Sequence, residues 1–191
     1  MRGLLLYARS RQVPASAAVV ALVALALWAL NRDPGERPTG LGLAVLVLTA
    51  NVAAAAIGLG GQDTALERTA AIRWAPRRAA HVLLIGAAAG AALLAVQAAG
   101  PEFAPTAVVL RDSAGLVGLA ALGAALCGAA YGWALSTGWL AFNLLVPTPA
   151  GTVGQVTNWM IAPSGTTAAT TTALVLLVTG TALYAAAGPR R

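Results

Sequence analysis

The sequence of 191 residues contains no lysine, one cysteine and one histidine. Without lysine, the chain cannot form a P-loop, in which a lysine contacts the nucleotide phosphates, or a lysine Schiff base. Cys127 has no second cysteine with which to form an intrachain disulfide. Cys127 and His81 together are too few for a Cys/His metal site. We therefore expect that this chain is not an enzyme and that it holds no cofactor or metal of its own.

Charged residues are also scarce, since Asp, Glu, Lys and Arg make up 9% of the chain while hydrophobic residues make up 59%. Soluble domains carry about 25% charged residues. We therefore predict an all-α integral membrane protein, with a single transmembrane domain over residues 1–191. A helix needs about 20 apolar residues to cross the hydrocarbon core of a membrane. Six predicted spans result: 14–30, 41–59, 79–99, 111–131, 135–147 and 166–187.

Two of these spans come from one long apolar region, 107–147. As a single helix this region would be about 60 Å long, roughly twice the thickness of the hydrocarbon core. It must therefore fold back on itself. The glycines at both ends of "GWALSTG" place the expected turn at 132–138, so the fifth span is short.

The arginines predict how the spans are oriented, because arginine collects on the cytoplasmic side of membrane proteins. With a cytoplasmic N-terminus, six spans place nine of the twelve arginines on that side: Arg2, Arg9, Arg11, Arg68, Arg73, Arg77, Arg78, Arg190 and Arg191. Five spans would place the C-terminal pair outside, so both termini are expected to be cytoplasmic. Aromatic side chains favour membrane interfaces. We expect Trp28 and Trp159 near the outer interface, and Tyr131, Trp133 and Tyr184 near the inner one.

The polar stretch "QDTALERTAAIRWAPRRAAH", residues 62–81, lies between the second and third predicted spans and is therefore expected in the cytoplasm. Thr64 and Glu67 form a capping box, which predicts the start of a helix. We expect a short helix over about 65–74 that Pro76 ends, because the residue before a proline is disfavoured in the α conformation. Pro76 can then stand in the first turn of the third span. Two interpretations stay open. The stretch is either a loop that sets the topology and contacts anionic lipid, or a helix presented to a cytoplasmic partner.

Five polar or charged residues lie in or near the predicted spans. Asn51, Gln97 and Asn143 either form hydrogen bonds between helices or line a substrate path, because lipid offers polar groups no partner. Arg111 and Asp112 are expected at the outer end of the fourth span. They form either an exposed pair that extends into the interface, or a buried gate or inter-subunit salt bridge.

Two glycine pairs have the spacing that lets helices approach closely. They are Gly86 with Gly90 and Gly128 with Gly132. This spacing predicts tight helix packing and is compatible with a dimer interface.

Three stretches together resemble bacterial ABC transporter permeases of the type-two exporter class. "DTALERTAA", which begins at Asp63 and is followed by arginines and His81, resembles the segment after the second span of those permeases. "LRDSAGLVGLAALGAALCGAAYGW", 110–133, is similar to their fourth span, in which Leu-Arg-Asn usually precedes a Gly-Leu-x-Gly-Leu run; Asp112 stands here in place of the asparagine. "NWMIAPSGTTAA", 158–169, is a weaker match before the last span.

The resemblance implies the membrane subunit of an ATP-driven exporter in the bacterial cell membrane. Such a subunit has six spans and pairs with a second permease subunit, which is either identical or homologous. It binds separate P-loop ATPase subunits in the cytoplasm, and these hold the ATP and Mg. The class also has a partly re-entrant outer segment between spans five and six, which corresponds here to 147–165. The expected partners are these subunits and membrane lipid, and no nucleic acid.

In that class, the loop between spans two and three carries a coupling helix that docks on the ATPase. The resemblance transfers this role to 64–74, with these contact residues: Thr64, Leu66, Glu67, Arg68, Arg73 and Trp74. Two other functions stay open. The chain is alternatively a membrane anchor or assembly subunit that does not transport, or a small transporter or channel that does not use ATP.

Overall fold

A computed structural model of the chain describes residues 40–60, 74–100, 102–147 and 149–189. Within these ranges the secondary structure is helical, without a strand, which confirms the expected all-α fold for this part of the chain. The helices are α1 (Leu41–Ala56), α2 (Trp74–Ala98), α3 (Thr106–Leu126), α4 (Gly132–Leu145), α5 (Gly151–Thr157) and α6 (Thr167–Ala187). Short 3₁₀ turns follow α1 at Ile57–Leu59 and precede α4 at Ala129–Tyr131. The predicted first span, 14–30, lies outside the described residues.

Four of these elements are long and apolar enough to cross a membrane: Leu41–Leu59, Trp74–Ala98, Thr106–Leu126 and Thr167–Ala187. They correspond to the predicted spans 41–59, 79–99, 111–131 and 166–187. These helices support the prediction of a membrane protein. Helix α4, which corresponds to the predicted fifth span, has 14 residues. At 1.5 Å per residue it is about 21 Å long, which is shorter than the hydrocarbon core.

Helix α3 is the centre of the bundle, because it contacts α1, α2, α4 and α6. Most of its residues are buried, whereas α6 buries only one side and exposes Leu174, Val175 and Val178. The apolar residues of α3 are spread around most of the helix, and such a helix is stable only when other helices or lipid cover its sides.

The bundle has two ends that we name after one residue each. At the Tyr184 end, the Tyr184 hydroxyl donates to the Leu59 carbonyl oxygen at 2.5 Å, so α1 and α6 finish together. At the Arg111 end, the start of α3 meets the segment between α5 and α6 through a bond from Arg111 to the Ala162 carbonyl. Helices α1, α3 and α6 therefore run parallel, and α2 and α4 run in the opposite direction.

The turn between α3 and α4 differs from the prediction. The predicted turn, 132–138, lies within α4, and the chain reverses at 127–131 instead. Gly128 has a φ of 108°, a conformation that glycine alone adopts without strain. Gly132 begins α4 next to α1, where an added Cβ would lie 3.4 Å from the Ala56 carbonyl oxygen. Glycine composition alone did not distinguish these two uses, the turn and the close contact.

Pro76 lies in the first turn of the helix of the third span, as predicted, but the helix boundary expected just before it is not seen among the described residues. Trp74, Ala75 and Pro76 all belong to α2, so Trp74 is part of the helix of the third predicted span. Pro76 is the third residue of α2 as the structure describes it. Proline is tolerated in a first helical turn, because the amide there has no intrahelical acceptor to bond with.

Gly86 and Gly90 confirm the predicted close packing, and the contact lies within one chain. An added Cβ would lie 2.8 Å from Val117 Cγ1 at Gly86 and 3.1 Å from Ser113 Oγ at Gly90. These two glycines therefore bring α2 against α3. Gly128, in contrast, lies in the turn after α3, so Gly128 and Gly132 do not share one helix face.

A closer helix contact joins α3 and α6 through Gly118 and Gly180, two glycines that were not among the predicted packing pairs. An added Cβ at Gly118 would overlap the backbone of Leu176, and one at Gly180 would overlap the backbone of Gly118. The two backbones therefore touch in the middle of the bundle. This contact explains why a glycine stands at position 118, the second glycine of "GLVGL" at 115–119.

Candidate functional site

The most polar buried cluster lies at the Arg111 end, around the side chain of Arg111. Its Nε donates to Asp112 Oδ1 at 2.8 Å, and the two side chains are 4% and 0% exposed. Its Nη1 donates to the Ala162 carbonyl at 2.9 Å and to the Pro163 carbonyl at 3.3 Å. Its Nη2 donates to the Met160 carbonyl at 3.2 Å. We call these three carbonyls the Arg111 cradle.

This geometry corrects the expectation of an exposed interfacial pair. Arg111 and Asp112 are buried within the chain, and the salt bridge joins neighbouring residues of one helix rather than two subunits. The planar guanidinium has five N–H donors in a fixed arrangement, so it can bond a carboxylate and several carbonyls at once. The cradle supplies the acceptors that make burial of the charge tolerable.

Trp159 lies deeper in the bundle on the same side. Its side chain is fully buried, and its ring covers Gly115, where an added Cβ would overlap the ring and lie 3.1 Å from Ala173 Cβ. Trp159 was expected near the outer interface, which stays a prediction; the structure shows that the indole inserts between α3 and α6. The small residues at 115 and 173 leave the space that it fills.

Three buried polar atoms of this cluster have no hydrogen-bond partner within the described residues. They are Asp112 Oδ2, Asn158 Oδ1 and Trp159 Nε1. A buried polar atom that lacks a partner costs about 1–3 kcal/mol. The closed packing at the Arg111 end therefore carries an energetic cost.

Gln97 and Asn143 lie at the Arg111 end as well, and both bond to backbone groups. Gln97 Nε2 donates to the Ala104 carbonyl at 3.0 Å and Gln97 Oε1 accepts from the Ala104 amide at 3.3 Å. Asn143 Nδ2 donates to the carbonyls of Trp139 at 2.9 Å and Thr157 at 3.3 Å. These contacts favour the interpretation that both residues connect structural elements, because each amide holds a specific backbone segment.

Trp139 strengthens the contact made by Asn143. Its Nε1 also donates to the Thr157 carbonyl, at 3.0 Å, so two side chains of α4 hold the C-terminal end of α5. Asn51, the remaining polar candidate, is buried in the middle of α1, and its amide atoms have no partner among the described residues.

An open pocket of about 340 Å³ lies on the surface of the segment between α4 and α6. Residues of α5 and of the loop after it line the pocket: Pro149, Gly151, Gly154, Gln155, Asn158, Ile161, Ala162 and Pro163. The same loop therefore faces this pocket on one side and the Arg111 guanidinium on the other.

Most of the expected coupling residues, Thr64, Leu66, Glu67, Arg68 and Arg73, lie outside the described residues. Trp74 is described, and the Arg77 guanidinium carbon lies 5.8 Å from the centre of its ring, within range of a cation–π interaction. The neighbouring Arg78 donates from Nη1 to the Ala185 carbonyl at 3.5 Å.

Arg78 therefore lies against the C-terminal end of α6, where the helix dipole favours positive charge. Gly188, which ends α6, has a φ of 71°, and an added Cβ there would lie 2.8 Å from the Arg78 guanidinium carbon. The lack of a side chain at Gly188 gives Arg78 room at this helix end.

Sequence reasoning found Arg111 and Asp112 but missed the groups that surround them. The cradle is backbone, so no residue type marks it. One usable signal was the apolar triplet Trp159, Met160 and Ile161 in an otherwise polar loop, of which Trp159 and Met160 are fully buried.

Comparison with known proteins leaves the chain without an identified relative. No protein-family model matches it, and neither a curated protein nor a solved structure does. A functional assignment therefore depends on the sequence features and on the geometry described above.

Proposed function

We propose that this chain is the membrane-spanning subunit of an ATP-driven exporter in the bacterial cell membrane. The observation that carries the proposal is the arrangement between α4 and α6. A helix of 14 residues is followed by the seven-residue α5 and by a loop that buries Trp159 in the bundle before the last apolar helix begins. This arrangement agrees with the partly re-entrant segment that the resemblance implies between spans five and six.

The distribution of charge supports a cytoplasmic location of the Tyr184 end. Gly60 and Trp74, the described residues on either side of 61–73, lie there together with Arg77 and Arg78, and Arg190 and Arg191 follow α6 in the sequence after its end at the same side. At the Arg111 end, the described charges are the mutually compensating Arg111 and Asp112 and the exposed Glu102. The positive-inside rule therefore favours six spans with both termini in the cytoplasm and the Arg111 end outside.

Contacts at the Tyr184 end provide a route for mechanical coupling. A partner ATPase would dock on 64–74, between α1 and α2. Both helices are bonded to α6 at this end, α1 through the contact of Leu59 with Tyr184 and α2 through the contact of Arg78 with Ala185. ATP-driven movement of the partner would therefore shift three helix ends together.

The outward surface of the bundle suits a second permease subunit and membrane lipid. Leu174, Val175 and Val178 of α6 and Leu83 and Leu84 of α2 are at least half exposed. A soluble protein rarely leaves so many large apolar side chains in water. The translocation pathway is proposed to lie where two permease subunits meet.

Recruitment of the ATPase tests this function. Leu66→Asp and Arg68→Glu should abolish co-purification of a P-loop ATPase while the chain still inserts into the membrane. Arg190→Glu makes the same change of charge outside 64–74 and should leave recruitment intact. If both variants keep a full complement of ATPase and export normally, the coupling role is wrong.

A second measurement separates the exporter from its alternatives. Reconstituted with its ATPase, an exporter should show ATP turnover that its substrate stimulates. An anchor or assembly subunit would bind the ATPase without such stimulation, and an ATP-independent channel would work in vesicles without any partner.

A further inference from the structure

We propose that residues 158–166 form a lid that Arg111 latches shut, and that opening this lid withdraws Trp159 from between α3 and α6. We call this segment the Trp159 lid. The lid itself does not depend on the proposed transport function. Its role as the outer gate of an export pathway does rest on that function.

A single side chain, that of Arg111, bonds the Trp159 lid to α3. Within the described residues, the hydrogen bonds between the Trp159 lid and α3 all come from Arg111, which donates to the three carbonyls of the cradle. The remaining hydrogen bonds of the lid stay local, such as that from the Ile161 amide to the Asn158 carbonyl. Loss of the guanidinium would therefore release every polar contact between the lid and the central helix.

The closed lid also leaves polar atoms unsatisfied. Asn158 Oδ1 and Trp159 Nε1 belong to the lid, Asp112 Oδ2 lies beside the latch, and none of these buried atoms has a partner among the described residues. In an open lid these atoms would reach water and gain hydrogen bonds. These new hydrogen bonds to water offset part of the free energy lost when Arg111 leaves the carbonyls of the cradle. The open and closed lids are therefore closer in free energy than they would be if every buried polar atom of the closed lid had a partner.

Glycines provide positions at which the segment can pivot. Gly165, near the end of the lid, has a φ of 86°, and Gly151, at the start of α5, has a φ of 74°. An added Cβ at either position would meet no atom within 4 Å. The backbone at these two points is therefore not held by close packing, and hinges are commonly a few loop residues of this kind.

Withdrawal of Trp159 would open a cleft of limited depth. Gly115 and Ala173 would form its walls, since both contact the site that the ring occupies. One turn deeper, the backbones of α3 and α6 touch at Gly118 and Gly180 and close the cleft. The open lid would therefore expose a chamber at the Arg111 end without making a continuous channel through one chain.

Thiol labelling of the purified protein in detergent tests the lid directly. In a Cys127→Ser background, the reporter Ala162→Cys replaces a residue that is 8% exposed in the lid. The control reporter Ala124→Cys replaces a fully buried residue near the Tyr184 end. Arg111→Lys keeps a positive charge beside Asp112, but its ammonium group cannot reproduce the planar array of donors. Labelling at 162 by a maleimide should become about ten-fold faster, and labelling at 124 should not change.

A second variant opens the lid without altering charge. Gly115→Ala should displace the Trp159 ring, because the added methyl group overlaps it, and should also accelerate labelling at 162. Gly138→Ala is the matched control, since an added Cβ there meets no atom within 4 Å. If Arg111→Lys does not fold, Gly115→Ala decides the question by itself.

Two outcomes would overturn the proposal. Either folded variants label at 162 as slowly as the parent, or labelling rises equally at 162 and 124, which would indicate a general loosening of the bundle. The assay needs no ATPase. A lid that opens in a chain that recruits no ATPase would keep this inference and remove the proposed export function.

Discussion

At the Tyr184 end of the bundle, helix ends bond to other helix ends, whereas at the Arg111 end a helix bonds to a loop. The Tyr184 hydroxyl donates to the Leu59 carbonyl, in the 3₁₀ turn that follows α1. The Arg78 guanidinium donates to the Ala185 carbonyl, in the last turn of α6. Arg111 instead bonds a non-helical segment and is buried with its carboxylate partner. One end therefore connects the framework, and the other holds a separate segment in place.

The proposed membrane location would explain this difference. Non-helical backbone at membrane depth leaves carbonyl groups without internal partners, and lipid supplies none. The guanidinium of Arg111 supplies these partners to the three carbonyls of the cradle. Because the solution depends on a single group, the Arg111 end should be easier to disrupt locally than the Tyr184 end.

Which end faces the cytoplasm can be determined by labelling, with an all-or-none result. The single cysteine of the chain, Cys127, is exposed next to the Tyr184 end, and Ser164 is exposed at the Arg111 end. In intact cells, a membrane-impermeant maleimide should label Ser164→Cys in a Cys127→Ser background and should not label Cys127 of the parent chain. Inside-out vesicles should give the reverse pattern, and the reverse pattern in intact cells would contradict the proposed orientation.

Replacing Arg111 should cause the largest loss of stability. Arg111→Ala leaves the Asp112 carboxyl group buried without its cation and removes the donors that bond the three carbonyls of the cradle. Breaking a buried pair in this way costs about 3–5 kcal/mol. Unfolding of the purified protein, followed by circular dichroism in detergent, measures the change.

Two controls make this measurement specific. Arg77→Ala removes an exposed arginine and should change the stability by about 0.5 kcal/mol or less. Arg111→Met combined with Asp112→Leu should recover part of the loss, because it removes both charges. Equal effects of Arg111→Ala and Arg77→Ala would mean that the buried pair does not hold the Arg111 end together.

The positions of the long helices could be predicted from the sequence because the membrane requires apolar runs of a minimum length. The run 41–59 coincides with the observed element, whereas the helix predicted at 111–131 begins and ends five residues earlier, so Arg111 and Asp112 lie within α3 and not at its end. The turn after α3 could not be placed in the same way. Glycine serves there as a turn residue at 128 and as a close-packing residue at 132, and composition does not separate the two.

The candidate site was only partly predictable for a different reason. The polarity of Arg111 and Asp112 stands out in an apolar run, so both residues were found. Their environment depends on carbonyls about fifty residues later in the chain, which only the tertiary fold brings to α3. The insertion of Trp159 likewise depends on the missing side chain of Gly115 on another helix.

A smaller effect is expected from Tyr184→Phe at the other end. This variant removes the hydroxyl that donates to Leu59 while keeping the buried ring, so it should cost about 1 kcal/mol, the usual net value of one hydrogen bond. Tyr131→Phe changes an exposed tyrosine and is the matched control. The same unfolding assay applies, and it should rank Tyr184→Phe well below Arg111→Ala. The labelling rate at the 162 reporter should also stay at the parent value in Tyr184→Phe, because the Tyr184 end does not hold the lid. If Tyr184→Phe lost more stability than Arg111→Ala, or labelled faster at 162, the two ends would be coupled and the Arg111 end would not be the easier one to disrupt locally.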